Sequence, residues 1–151
     1  MGKVTVIGGA GFLGRYLVKR LAQQGMQVRV AVRDPEAANF LKPMGDVGQV
    51  QPIQANIRNE ASITRAVAGA DVVINLAGVM FPGGAQGFQA VHEDGAETVA
   101  RAATSAGVGR LIHVSAIGAD AEANSKYARS KAAGEAMVRG AYPDAIIVRP
   151  S

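Results

Sequence analysis

Cysteine and tryptophan are both missing from the 151 residues. Without cysteine there is neither a disulfide framework nor thiolate chemistry, and a reducing compartment suits the chain. Aromatic residues make up only 5%, so a surface that stacks bases has little to build on. Histidines number two and join no Asp and Glu cluster with ligand spacing, which leaves no metal site to expect. No apolar run approaches the roughly 20 residues of a membrane span. The first strand-like run begins almost at the N-terminus and leaves no room for a signal peptide. Lysine and arginine exceed aspartate and glutamate by 16 to 12, giving a net charge of +4 and a pI near 9.8. The basic residues are scattered along the chain, which speaks against nucleic acid and for an anionic cofactor or an acidic partner surface. A chain of this length buries roughly 70% of its unfolded surface, enough for one core without staples.

What is present starts with Lys3-Val4-Thr5-Val6-Ile7-Gly8-Gly9-Ala10-Gly11-Phe12-Leu13-Gly14-Arg15. An apolar strand runs into a glycine-spaced turn that opens a helix. Gly8 turns the chain off the strand, Gly11 lets the backbone approach phosphates, and Gly14 lets helix and strand pack closely. The free amides at the helix start, including those of Phe12 and Leu13, point at an anion, worth about 0.3 to 2 kcal/mol per bound charge. The pattern therefore reads as a dinucleotide pyrophosphate site. Its Gly-x-x-Gly-x-x-Gly spacing differs from the Gly-x-Gly-x-x-Gly of many dehydrogenases, and the preceding strand is what gives it weight.

Strand-like runs at 3–8, 27–32, 49–54, 71–77, 110–115 and 144–149 alternate with helix-like stretches at 12–24, 60–69, 86–106 and 126–140. The runs are short and β-branched, as in strands covered on both faces. Right-handed crossovers then predict an α/β fold, a doubly wound parallel sheet of order 3-2-1-4-5-6 in three αβα layers. Residues 1–151 read as one domain, with no internal repeat or linker.

The second strand ends in Val32-Arg33-Asp34. An acidic residue at such a tip binds the ribose diol of NAD, whereas Arg33, with Arg15, would clamp a 2'-phosphate. Charge-assisted hydrogen bonds of about 1.5 to 3 kcal/mol favour NADP (NADPH) over NAD by one to two decades. Asp34 keeps NAD open, and a solvated surface pair is the other reading of the arginines. Asn56 and Ile57, after the third strand, are placed to meet the adenine edge, and Leu76-Ala77-Gly78, after the fourth, to let the backbone pass the cofactor; ordinary strand-end chemistry accounts for either equally well.

In Ser125-Lys126-Tyr127-Ala128-Arg129-Ser130-Lys131, Tyr127 and Lys131 lie four apart on one helical face. An ammonium beside a phenol stabilises the phenolate, which makes an acid–base pair, and the lysine is also able to hold the nicotinamide ribose.

These features together resemble the extended or atypical short-chain dehydrogenase/reductase superfamily, down to the Val148-Arg149-Pro150 ending. The resemblance covers essentially the whole chain. Within that superfamily, Gly11 to Tyr16, Leu41 to Gln49, Val72 to Leu76, Ile112 to Ser115 and Glu135 to Pro150 are similar to the nucleotide-binding accessory subunit of respiratory complex I and its bacterial relatives. Leu41 to Gln49 discriminates, because general cofactor chemistry does not demand it. The resemblance implies a Rossmann domain with a tightly held, structural NADPH at Gly8, Gly11, Gly14, Arg15, Arg33, Tyr127 and Lys131, with Pro150 beside it. It also implies complex I subunits as partners and a cytoplasmic protein, peripheral at the inner membrane through its complex.

Two departures keep an enzyme in question. Catalytic members end the fifth strand in a pair of hydroxyl residues, where this chain has Val114-Ser115-Ala116-Ile117; loss of one oxyanion donor typically costs about 100-fold to 1,000-fold in turnover. Family members also build much of their substrate pocket beyond the point reached by Ser151, so the domain is expected to be the N-terminal part of a longer architecture, and exposed apolar surface would invite homo-oligomers. The enzymatic alternative is an NAD(P)-dependent reductase or epimerase/dehydratase, with Tyr127 as acid or base, Lys131 as its partner and Ser115 as the doubtful donor. A sensor of the NADP redox state is a third. Val79 to Ala85 reads as a packed-down connection, with a lid as the alternative; His113 reads as core and His92 as solvated.

Overall fold

The computed structural model describes residues 2–78 and 87–151. The expected loop at 79–85 falls outside the described residues. Six parallel strands, β1 (Lys3–Ile7), β2 (Gln27–Val32), β3 (Val50–Gln54), β4 (Val72–Asn75), β5 (Arg110–Val114) and β6 (Ile146–Val148), pair in the order β3-β2-β1-β4-β5-β6. This is the predicted order, with every register parallel.

Alternate strand residues feed two cores. On one face Val4, Val6, Val28, Val30 and Ile74 pack against helix α1 (Phe12–Gln23), through Val18 and Ala22, and against Leu41 of a 3₁₀ helix (Asn39–Met44). On the other, Ile7, Val73 and Leu111 meet α2 (Glu60–Val67), α3 (Ala96–Ser105) and α4 (Lys126–Ala141). The discriminating stretch 41–49 is fastened by buried Gln49, whose amide donates to the Ala22 and Met26 carbonyls at 2.8 and 2.9 Å and accepts from the Asp46 amide at 2.8 Å.

The predicted helix at 86–106 is two structures. A π-helix (Gln89–Gly95) leads straight into α3. The predicted strand at 71–77 ends at Asn75, because its side-chain oxygen takes the Ala77 amide at 3.0 Å and turns the chain out of the ladder. Likewise the run at 144–149 contributes only Ile146–Val148, next to Pro150, which lacks an amide donor. Among the described residues no helix is long and apolar enough to cross a membrane.

Candidate functional site

All six parallel strands end on the same side of the sheet, and there a cleft of about 440 Å³ opens between the first β–α turn and the ends of β2, β3 and β4. Ile7, Gly8, Ala10 and Gly11 form one wall, Ala31 to Asp34 another, and Ala55, Ile57, Ala77, Gly78 and Val91 the remainder. Gly8 has φ +77°, a left-handed conformation that a side chain would strain, and a Cβ there would sit 3.1 Å from the Ala77 amide. Any Cβ at Gly14 would run into the Gly9 carbonyl, whereas one at Gly11 would meet only the Gly8 carbonyl at 3.8 Å. The cradle is thus tight where helix meets strand and open where a ligand enters.

The helix that starts there is uncapped. Asn59 caps α2 through the Ser62 amide at 2.9 Å, and Ser125 caps α4 through the Ala128 amide at 3.3 Å, but the N-cap of α1 is Gly11 and offers no side chain. The first-turn amides of α1, those of Phe12, Leu13 and Gly14, keep their donors for a ligand. The cleft therefore fits a dinucleotide: an anion cradle, an apolar lining, and the polar side chains of Arg33 and Asp34 at the end of β2.

At the nucleotide end, Arg33 and Asp34 line the cleft and are exposed. The Asp34 carboxylate accepts from the Glu36 and Ala37 amides at 3.1 and 3.3 Å, so it caps the following turn. The Arg15 guanidinium lies 5.3 Å from the Phe40 ring centre. Neither arginine has an ion pair among the described residues. Phe12 is 79% exposed and packs edge-on against Tyr16. Ile57 is buried in the wall, while the Asn56 side chain accepts from the Arg58 amide at 2.9 Å and its neighbours Ala55 and Ile57 face the cleft.

The other end is buried and polar. Lys131 is 4% exposed and donates to the Val114 carbonyl at 3.2 Å; a methyl at Gly78 would lie 3.9 Å from its Nζ. Burial pulls the lysine below its ordinary pKa, and Glu135, one turn further along α4, partly counteracts this. Tyr127 is half-buried one turn before it. Ser115 is buried and donates to Glu135 Oε2 at 2.6 Å. Arg149 grips the same carboxylate with two bonds, at 2.6 and 3.0 Å. Burial favours the protonated form of Glu135, but the bonds from Arg149 and Ser115, with the charges of Arg149 and Arg139, outweigh it and hold the carboxyl below its usual range. Pro150 is exposed, and its carbonyl accepts from the Ile117 amide at 3.3 Å.

His113 is core, as read from the sequence, but His92 is 2% exposed, against the solvated reading. Burial, followed by the charge of Lys131, pushes both imidazoles down to about 4. Because the Asn75 oxygen is used by the Ala77 amide, its amide nitrogen faces His113 Nδ1 at 3.4 Å; that makes Nδ1 the acceptor and leaves the proton on Nε2, which has no hydrogen-bond partner. The role of Glu135 was readable in part, since 127, 131 and 135 continue one i, i+4 row. Nothing in the local pattern announced His92. No cluster of metal-ligating side chains occurs among the described residues.

Residues 8–151 match the profile of a family described as NAD(P)H-binding. The chain is 43% identical over 147 residues to the mitochondrial NADH-ubiquinone oxidoreductase 40 kDa subunit of Neurospora crassa, covering 97% of this chain and 39% of that protein. It is 40% identical over 149 residues to a ceramide reductase of Caulobacter vibrioides, covering 99% and 45%. A solved structure from Bacillus halodurans, described as an NAD-dependent epimerase/dehydratase, superposes with a TM-score of 0.85 at 26% identity, covering 99% of this chain and 70% of that one. The chain spans less than half the length of either of the first two relatives. Cleft, topology and profile agree: the chain belongs to the NAD(P)H-binding family.

Proposed function

We propose that the chain is the NADP(H)-binding domain of a complex I accessory-subunit type of protein, in which the nucleotide completes and stabilises the fold. The observation that carries the NADP reading is at the end of β2: Arg33 faces the cleft while the Asp34 carboxylate is engaged by the amides of Glu36 and Ala37. A 2'-phosphate finds a cation there, beside a carboxylate whose Oδ1 holds the following turn and whose Oδ2 has no hydrogen bond among the described residues. Arg15, steadied on Phe40, is the second candidate for the phosphate. The α1 amides would hold the pyrophosphate, and Tyr127 and Lys131 the nicotinamide ribose, with Pro150 at the margin.

Bound there, the nucleotide supplies a hydride donor or acceptor at its nicotinamide ring. Support for a structural role comes from Ser115, whose single hydroxyl proton is taken by Glu135, so that the position expected to polarise a substrate has no donor left. The likeness to a complex I subunit supports a partner complex and a peripheral place at the inner membrane. A reductase is the second reading, favoured by the placement of Tyr127 and Lys131 one turn apart on α4 and by the ceramide reductase relative. Calorimetric titration with NADPH and NADH tests the proposal. Tight NADPH binding that weakens at least about tenfold in Arg33→Ala is expected; equal affinities for the two nucleotides would overturn the phosphate clamp.

A further inference from the structure

His92 belongs to no part of the reading so far, yet it is buried and touches Phe88, Tyr127 and Ser130. Its ring stacks on Phe88 at 5.4 Å and 10°, and stands edge-on to the Tyr127 ring at 5.3 Å and 87°. Phe88 meets Tyr127 edge-on as well, at 5.8 Å. Tyr127 is therefore held in a three-ring corner in which a rotation of its ring plane costs two favourable edge contacts.

The polar contacts have a direction. Ser130 Oγ donates its one proton to the Tyr127 carbonyl at 2.8 Å, so the 2.9 Å contact between His92 Nδ1 and Ser130 Oγ is donated by the imidazole. The Nε2 nitrogen is then an acceptor. A methyl group at Gly78 would lie 3.5 Å from that nitrogen and 3.9 Å from Lys131 Nζ, so both point to one place on the cleft wall. The backbone contributes too: the His92 carbonyl lies against Gly134, where any Cβ would collide with it. Tyr127, Ser130 and Gly134 thus form the face of α4 on which the π-helix sits. π-Turns inside helices recur at functional sites.

We infer that His92 is a positioning residue for the Tyr127 and Lys131 pair: its ring sets the Tyr127 ring plane, and its Nδ1 proton ties the π-helix to the first turn of α4. The inference rests on the nucleotide reading above. Being neutral, with its pKa held down at about 4 by burial and by Lys131, His92 adds no second cation beside the ammonium.

The test uses two ligands on the full 151-residue chain. NADPH spans the whole cleft, whereas adenosine 2',5'-bisphosphate carries the 2'-phosphate half and stops short of Tyr127. Variants His92→Phe, which keeps the stack and loses the Nδ1 proton, and His92→Asn, which keeps a donor at the same reach, are titrated with both. His92→Phe is expected to weaken NADPH about tenfold, the scale of one hydrogen bond, while leaving the bisphosphate within about twofold, and His92→Asn, which keeps a donor but loses the ring contacts, to recover only part of the loss. Unchanged NADPH affinity in His92→Phe overturns the inference, as does parallel loss of both ligands, which marks a purely structural residue. Should His92→Phe fail to fold by circular dichroism, Ser130→Ala removes the same bridge: selective loss of NADPH supports the assignment, and no loss overturns it. A wild-type chain that binds neither ligand overturns the nucleotide reading and this inference with it; one that binds both, with variants indistinguishable, overturns this inference alone.

Discussion

The two ends of the cleft are built by opposite means. At the glycine turn the chemistry is backbone: amides at the uncapped start of α1, a left-handed Gly8, and a helix pressed so close that Gly14 has room for no side chain. Its charged side chains, Arg15 and Arg33, are exposed, and Arg33 lines the cleft. At the Tyr127 end the chemistry is side chain, and much of it is buried: Lys131, Glu135, His92, His113 and Ser115 are each 5% exposed or less. A site of the first kind is indifferent to pH and intolerant of a methyl group. The second kind tolerates small changes in shape and depends on who holds each proton.

The largest expected effect breaks the buried end with acid. Each histidine has an unfolded value near 6.5 and a folded value of about 4, so above pH 6.5 neither state binds the proton and stability is full. Between pH 6.5 and 4 the unfolded chain takes up protons that the folded chain refuses, and stability falls by about 3 kcal/mol for each ring at pH 4. Lys131 adds to the refusal at both rings, His113 adds to it at His92 and Arg139 at His113, where Glu135 opposes it. Urea unfolding from pH 8 down to 4 measures the slope, and a flat profile across that window would mean that the rings are not buried neutral. The loss tied to Glu135 belongs to a lower window, because a lowered carboxyl gives up its contribution only as pH falls below about 4.5.

Next comes the backbone end. Gly14→Val is expected to cost about 3 kcal/mol, near the upper range for overpacking, and to abolish NADPH binding, because α1 must back away from the turn. Thermal unfolding and titration on the same preparation separate the two effects; a variant that binds NADPH normally would mean the approach of α1 is not needed. Arg33→Ala sharpens the contrast from the other side. It is expected to weaken NADPH about tenfold and leave both NADH affinity and melting temperature within error, since Arg33 lines the cleft and makes no hydrogen bond or ion pair among the described residues. The smallest effect is expected from Ser115→Ala. Removing a hydroxyl bonded to a carboxylate that Arg149 still holds costs about 1 to 2 kcal/mol of stability, with no change in nucleotide affinity. A drop of a hundredfold in any reductase turnover in that variant, with stability intact, would restore Ser115 to catalysis.

The contrast also explains what the sequence disclosed. Backbone sites are written in local spacing: glycine positions, β-branched runs and the i, i+4 step from Tyr127 to Lys131 all act over a few residues, so strand order and cradle were readable. The buried polar end is assembled from β5, the π-helix, α4 and β6, and its contacts span 14 to 38 residues along the chain. His92 shows the cost most clearly. Flanked by Glu93 and Asp94, it resembles an exposed helical face at 3.6 residues per turn. Those charged neighbours hide that Val91, His92, Gly95 and Ala96 all point inward, at the i, i+1, i+4, i+5 spacing of one helical face. Strand ends were overrun for a related reason, since Asn75 competes for a backbone amide by a contact that hydrophobic pattern does not register.

The bare start of α1 carries a consequence for the lifetime of the protein in a cell. Where α2 and α4 carry their own caps, α1 leaves that task to whatever anion arrives, so under the function proposed above a bound nucleotide would act as a detachable piece of secondary structure. Mass action then ties turnover of the polypeptide to metabolism: a free nucleotide concentration 100-fold above its dissociation constant adds about 2.7 kcal/mol to the folded state. As the pool is drained that margin disappears, and the chain becomes a better substrate for proteases.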